Sequence, residues 1–102
     1  MRVTILGSGT AVPSADRFPA GVLVEADDQV ILIDAGPGIL RRMAAIDRGP
    51  EHLTAVLLTH FHTDHCADVP ALLFALRNAR YAGRGPLVLA AAPGLDDWLR
   101  AL

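Results

Sequence analysis

Short apolar runs punctuated by Gly, Pro and Asp dominate this chain, and their lengths separate strands from helices. Residues 3–6, 21–26, 29–34, 55–59 and 87–91 are mostly β-branched or otherwise apolar and are bounded by turn formers, which predicts five strands. Only Asp27-Asp28 separates the second strand from the third, so those two should form a hairpin. Between the first and second strands, Pro13 and Pro19, with Ser14 and Asp16, exclude a helix. Pro37-Gly38 opens a helix predicted to run to about Arg48, with Ile39, Met43 and Ile46 at helical spacing and Gly49-Pro50 as its stop. After a polar loop over 60–67, Asp68 as N-cap and Pro70 in the first turn predict a second helix ending near Gly83. Its apolar face is Leu72, Leu73, Ala75, Leu76 and Ala79. Pro93-Gly94 opens a last helix over 95–102.

Strands this uniformly apolar belong to a sheet covered on both faces. The two longer helices can cover one face, and no segment remains to cover the other. The last helix also reaches Leu102 without a stop signal. The expectation is an α/β chain, a mixed sheet with helices on one face, in which residues 1–102 are the amino-terminal half of a larger domain.

Composition sharpens that expectation. With 102 residues, 52% hydrophobic and a mean hydropathy of +0.37, the chain is more apolar than a solitary domain of this size needs, since such a domain buries only about 60–65% of its unfolded surface. The net charge of -2 gives no general attraction to nucleic acid or anionic lipid, so any phosphate must be gripped locally. No apolar run approaches the roughly 18 residues of a membrane span, and Gly7 arrives too soon for a signal peptide. A cytoplasmic protein is expected. The single cysteine, Cys66, excludes an intrachain disulfide.

The chemistry concentrates after the fourth strand, in Thr59-His60-Phe61-His62-Thr63-Asp64-His65. Neutral imidazole nitrogens and a carboxylate suit zinc and similar divalent ions, with manganese or iron accommodated by similar sets. In an extended turn, His60 and His62 point the same way and can share one ion, while Asp64 and His65 can reach a second. Two ions about 3.5–4 Å apart would hold and activate a hydroxide. The position fits, because ligands in layered α/β folds gather at the carboxyl ends of strands. Asp34, ending the third strand in Leu32-Ile33-Asp34-Ala35-Gly36, is placed to orient a ligating imidazole from behind; a turn or helix-cap aspartate is the plainer reading of the same residue.

These residues resemble the amino-terminal half of the metallo-β-lactamase fold, whose signature is the His-x-His-x-Asp-His run seen at His60, His62, Asp64 and His65. The chain is most similar to the ribonuclease Z branch. The matching stretches are Leu6-Gly7-Ser8-Gly9-Thr10-Ala11-Val12-Pro13-Ser14 with Arg17, then Leu32 to Gly36, the histidine run, and Pro86-Leu87-Val88-Leu89 leading to Pro93-Gly94-Leu95. The resemblance implies an αββα sandwich, two zinc ions, and hydrolysis of a phosphodiester or similar ester bond in RNA or a small molecule. It also implies that His60 and His62 bind one metal and that Asp64 and His65 bind the other. Asp64 additionally steers protons as the catalytic residue. The family's later ligands, a His, a bridging Asp and a final His, have no counterpart in these residues, so the 102 residues alone should be inactive; the full-length protein is open to homodimerisation. The chain departs from the branch at two places. Ala35-Gly36-Pro37-Gly38 follows Asp34 where Glu-Gly-Thr-Gln is usual, and Phe18 follows Arg17 where Asn is usual.

Other signals have plain readings. Gly7-x-Gly9 lacks the third glycine of a dinucleotide loop, and Pro13 blocks the helix that would follow, so a tight turn is expected. Cys66 should pack as a small buried residue, Trp98 should pack in the last helix, His52 should lie at the surface, and Arg77, Arg80 and Arg84 should line a solvated helix face. The competing functional reading is a truncated, non-catalytic metal-binding or interaction module that pairs its open sheet face with another chain.

Overall fold

The computed structural model describes all 102 residues. Five strands, β1 (Arg2–Gly7), β2 (Gly21–Ala26), β3 (Gln29–Ile33), β4 (Ala55–Leu58) and β5 (Val88–Ala91), form one sheet in the order β1-β2-β3-β4-β5. The helices are α1 (Ile39–Ala45), α2 (Thr63–Cys66), α3 (Asp68–Ala75) and α4 (Leu95–Arg100). Strands β1, β2 and β3 pair antiparallel, with β2 and β3 joined through Asp27-Asp28. Strands β3, β4 and β5 pair parallel, because helical crossovers return the chain to the same end of the sheet. The sheet is therefore mixed, as the sequence predicts, and β3, β4 and β5 all end at one edge.

Alternation divides each strand between two faces. On one face, Leu23, Leu32 and Val56 are wholly buried against Ile39 and Met43 of α1 and Val69 and Leu72 of α3. On the other face the register aligns Val3-Val24-Ile31-Ala55-Val88 and Ile5-Val22-Ile33-Leu57-Ala90 across all five strands. Every one of those ten residues is apolar and none is buried; Val3, Ile5 and Val88 are 54%, 58% and 57% exposed. The expectation of helices on a single face of the sheet is met.

Four local expectations are corrected. The polar stretch 60–67 contains a helical turn, α2, closed by His65 N–H donating to the His62 carbonyl and Ala67 N–H to the Thr63 carbonyl. Asp68 does not cap its own helix, because Ala67 is already helical and α2 runs straight into α3. Its carboxylate instead accepts from the N–H groups of Gly38 (3.1 Å) and Leu40 (2.9 Å), closing the amino end of α1. Helix α3 ends at Ala75, since Asn78 turns extended and accepts from Arg80 N–H to start a short 3-10 turn, Ala79–Tyr81. The three arginines consequently share no helix face: Arg77 lies over Phe74, Arg80 over Tyr81, and Arg84 donates to the Leu53 carbonyl.

Candidate metal centre

The site forms where β3 and β4 end. Asp34 follows β3 with φ +61°, a left-handed backbone that releases the chain from the sheet and that Asp tolerates better than most residues. Two main-chain bonds lock this bend to the second half of the histidine segment: Ala35 N–H donates to the His65 carbonyl (2.7 Å), and Asp68 N–H donates to the Ala35 carbonyl (2.9 Å). Gly36 is required here, since a Cβ at that position would run into the Asp64 carbonyl oxygen. His60 follows β4 by two residues, His62 precedes α2 with extended backbone, and Asp64 and His65 lie within α2.

These pieces bring the predicted donors together. The ring of His60 lies 4.7 Å from that of His62 and 4.1 Å from that of His65, centre to centre. His65 is held on one side, with Nδ1 2.7 Å from Asp34 Oδ2, and on the other its Nε2 lies 3.5 Å from Asp64 Oδ2. Asp34 is the one buried charged side chain, 6% exposed. Besides His65 Nδ1 it accepts from Thr59 N–H (2.8 Å) and contacts the Thr59 hydroxyl at 2.9 and 3.1 Å. A buried carboxylate demands such partners. With Nδ1 turned to Asp34, His65 keeps Nε2 for the site.

The donor set fits divalent metal in chemistry. Three imidazoles and Asp64 are all nitrogen or oxygen donors suited to zinc, and they converge as neighbours without any three gathering at a common point. His60 lies beside both His62 and His65, and Asp64 lies beside His65, so a metal held by any of them needs additional ligands to close its coordination sphere.

Several participants have no sequence signal of their own. Thr59 contacts both Asp34 and His60. Phe61 packs against Trp98 (5.5 Å between rings) and tethers α4 beside the histidines. The two departures from the ribonuclease Z pattern meet in space: a Cβ on Gly38, whose φ is +88°, would fall 2.7 Å from the Phe18 ring, and Arg42 lies over the same ring at 5.2 Å. Gly38 and Phe18 are one packing unit, so the departures are mutual accommodation at the rim. Cys66 is buried and donates to the Phe61 carbonyl (3.3 Å), packing the start of the helix as expected. Burial pushes its thiol pKa up, with the nearby Asp34 and Asp64 carboxylates adding to the rise. The Gly7-x-Gly9 segment is a close-packed turn, Gly9 N–H donating to the Phe18 carbonyl. His52 Nδ1 accepts from Gly49 N–H at the surface.

Comparison with known proteins agrees with this geometry. The chain is 38% identical over 103 residues to Ribonuclease Z of Mycobacterium marinum, an alignment that takes in all of this chain and 37% of that protein. The chain therefore spans little more than a third of the length of such curated relatives. The metallo-β-lactamase fold protein YhfI from Bacillus subtilis superposes with a TM-score of 0.84 at 29% identity, covering 98% of this chain and 41% of that one. The short form of human tRNase Z superposes with a TM-score of 0.84 at 27% identity, covering 97% and 38%. The Metallo-beta-lactamase superfamily model matches residues 16–102, and with the histidine segment seated at the strand ends, the chain belongs to that superfamily.

Proposed function

We propose that this chain is the amino-terminal half of a dinuclear metal-dependent hydrolase of ribonuclease Z type, cleaving phosphodiester or similar ester bonds in RNA or a small molecule. The observation that carries the reading is the clustering of the His60, His62 and His65 rings, with His65 bonded to the buried carboxylate of Asp34, at the carboxyl ends of adjacent parallel strands. Likeness to Ribonuclease Z and to tRNase Z supports the hydrolase class and an RNA substrate. A non-catalytic metal-binding or interaction module is the weaker reading, because those relatives are named as RNA-processing proteins.

His60 and His62 would hold one ion and Asp64 and His65 the other, with further ligands supplied by polypeptide outside these residues. Zinc suits the set best, and manganese or iron suits it next. Bound there, such ions would lower the pKa of water and polarise the scissile bond. The chain's own residues do the positioning. Asp34 holds the Nδ1–H of His65 and so aims Nε2 inward. Asp64, whose carboxylate lies beside that Nε2, is the proton acceptor. Phe61, between His60 and His62, packs against Trp98 of α4. No helix is long and apolar enough to cross a membrane.

The test uses the polypeptide of the full reading frame. It should retain divalent metal and hydrolyse a 3′-extended tRNA or bis(p-nitrophenyl) phosphate, lose that activity on chelation, and regain it with zinc. Hydrolysis unaffected by chelation, or protein that binds no divalent ion at micromolar supply, contradicts the reading.

A further inference from the structure

Thr59 stands between the buried carboxylate and the first histidine. Its hydroxyl oxygen lies 2.9 and 3.1 Å from the two oxygens of Asp34 and 2.8 Å from Nδ1 of His60. Its own N–H already donates to Asp34 at 2.8 Å. A hydroxyl has a single proton to give, whereas a carboxylate can only accept. Donated to Asp34, that proton makes a charge-assisted bond, roughly twice as strong as a neutral one. Donated to His60 instead, it would leave the hydroxyl oxygen facing two carboxylate oxygens with no proton between them, beside a side chain only 6% exposed. The first arrangement wins. Oγ1 then turns a lone pair to His60, so Nδ1 of that ring must carry the hydrogen.

We propose that Thr59 is a positioning residue that holds His60 as its Nδ1–H tautomer, leaving the Nε2 lone pair free, so that one carboxylate sets both imidazoles. Asp34 orients His65 directly and orients His60 through the Thr59 hydroxyl. The value of this to metal binding rests on the function proposed above; the proton placement itself does not, and is readable in metal-free protein.

Thr59→Val keeps the branched shape and the N–H bond to Asp34 but removes the hydroxyl, at an exposed position where folding should survive. Thr59→Ser keeps the hydroxyl. Imidazole ¹H–¹⁵N correlation spectra, with His60 assigned by the signal lost in His60→Gln, should show Nδ1–H at His60 in the wild type and Thr59→Ser. In Thr59→Val that preference should be lost. Zinc affinity should fall about tenfold in Thr59→Val and return in Thr59→Ser, within the range of such outer contacts. An Nε2–H tautomer in the wild type, or a Thr59→Val protein with unchanged tautomer and zinc affinity, overturns the relay. Wild-type protein with the expected tautomer that binds no zinc refutes the metal centre instead and strips the tautomer of its purpose, so the two failures are distinguishable.

Discussion

The layer beneath the sheet and the edge where its strands end are built on opposite rules, although single residues separate them. Leu32 is wholly buried in the apolar layer, and Asp34, two positions on, is buried only because Thr59 and His65 satisfy its oxygens. Leu58 packs into the core, and His60, again two positions on, faces other imidazoles. Beneath the sheet the fold depends on volume, and nearly any lost atom costs stability. At the edge it depends on which atom donates and which accepts, and a group can be exchanged at little cost in stability and great cost in chemistry. Stability and metal binding should therefore respond to different substitutions.

The largest separation is expected for Leu32→Ala. It opens a cavity among residues that are wholly buried and should cost about 2–5 kcal/mol of stability, read as a lower denaturation midpoint. Zinc affinity of the molecules that remain folded should stay near the wild-type value. Asp34→Asn is the converse. It preserves volume but turns an acceptor oxygen into a donor group facing Thr59 and His65, and zinc affinity measured by chelator competition should fall about 10–100-fold. A stability loss in Asp34→Asn as large as that of Leu32→Ala would erase the distinction. Asp68→Ala lies between the two regions, since its carboxylate ties the start of α1 to the start of α3. It should cost about 0.5–2 kcal/mol of stability, the usual range for a lost cap, with a smaller effect on zinc than Asp34→Asn. The smallest effect concerns Cys66. Burial, then Asp34 and Asp64, raise its thiol pKa, so the reactive thiolate is scarce at neutral pH. Iodoacetamide should modify Cys66 in metal-free folded protein more slowly than in unfolded protein, and the pH–rate profile should rise only at higher pH when folded. A folded profile lying at lower pH than the unfolded one would contradict that placement.

The two regions were also unequally legible in the sequence. Apolar runs bounded by Gly, Pro and Asp give all five strands to within a residue or two, because the core pattern is local and repeats along each strand. The strands 29–34 and 55–59 end one residue early, at Ile33 and Leu58, for a local cause at Asp34, where the left-handed backbone leaves the sheet. The histidine segment announces its candidate donors by type and spacing, and the structure sets His60 beside His62 and His65 and Asp64 beside His65. The α2 turn is only four residues long, too short for any periodicity to show. Asp68 reads as a cap for the helix it begins, yet its partners lie 28 and 30 residues away, a long-range choice that no local pattern encodes. The same holds for Thr59, which carries no motif of its own, and for Phe18 with Gly38, which look like two separate departures until they are seen to touch.

The central claim is that residues 60–65 hold divalent metal through nitrogen and oxygen. X-ray absorption at the zinc edge of the metal-loaded, full-reading-frame protein tests it most directly. A first shell of nitrogen and oxygen at about 2.0–2.2 Å with imidazole scattering behind it is predicted, and it should lose imidazole contribution in His60→Gln. Zinc that washes away, or a sulfur shell near about 2.3 Å that places Cys66 on the metal, would contradict the account.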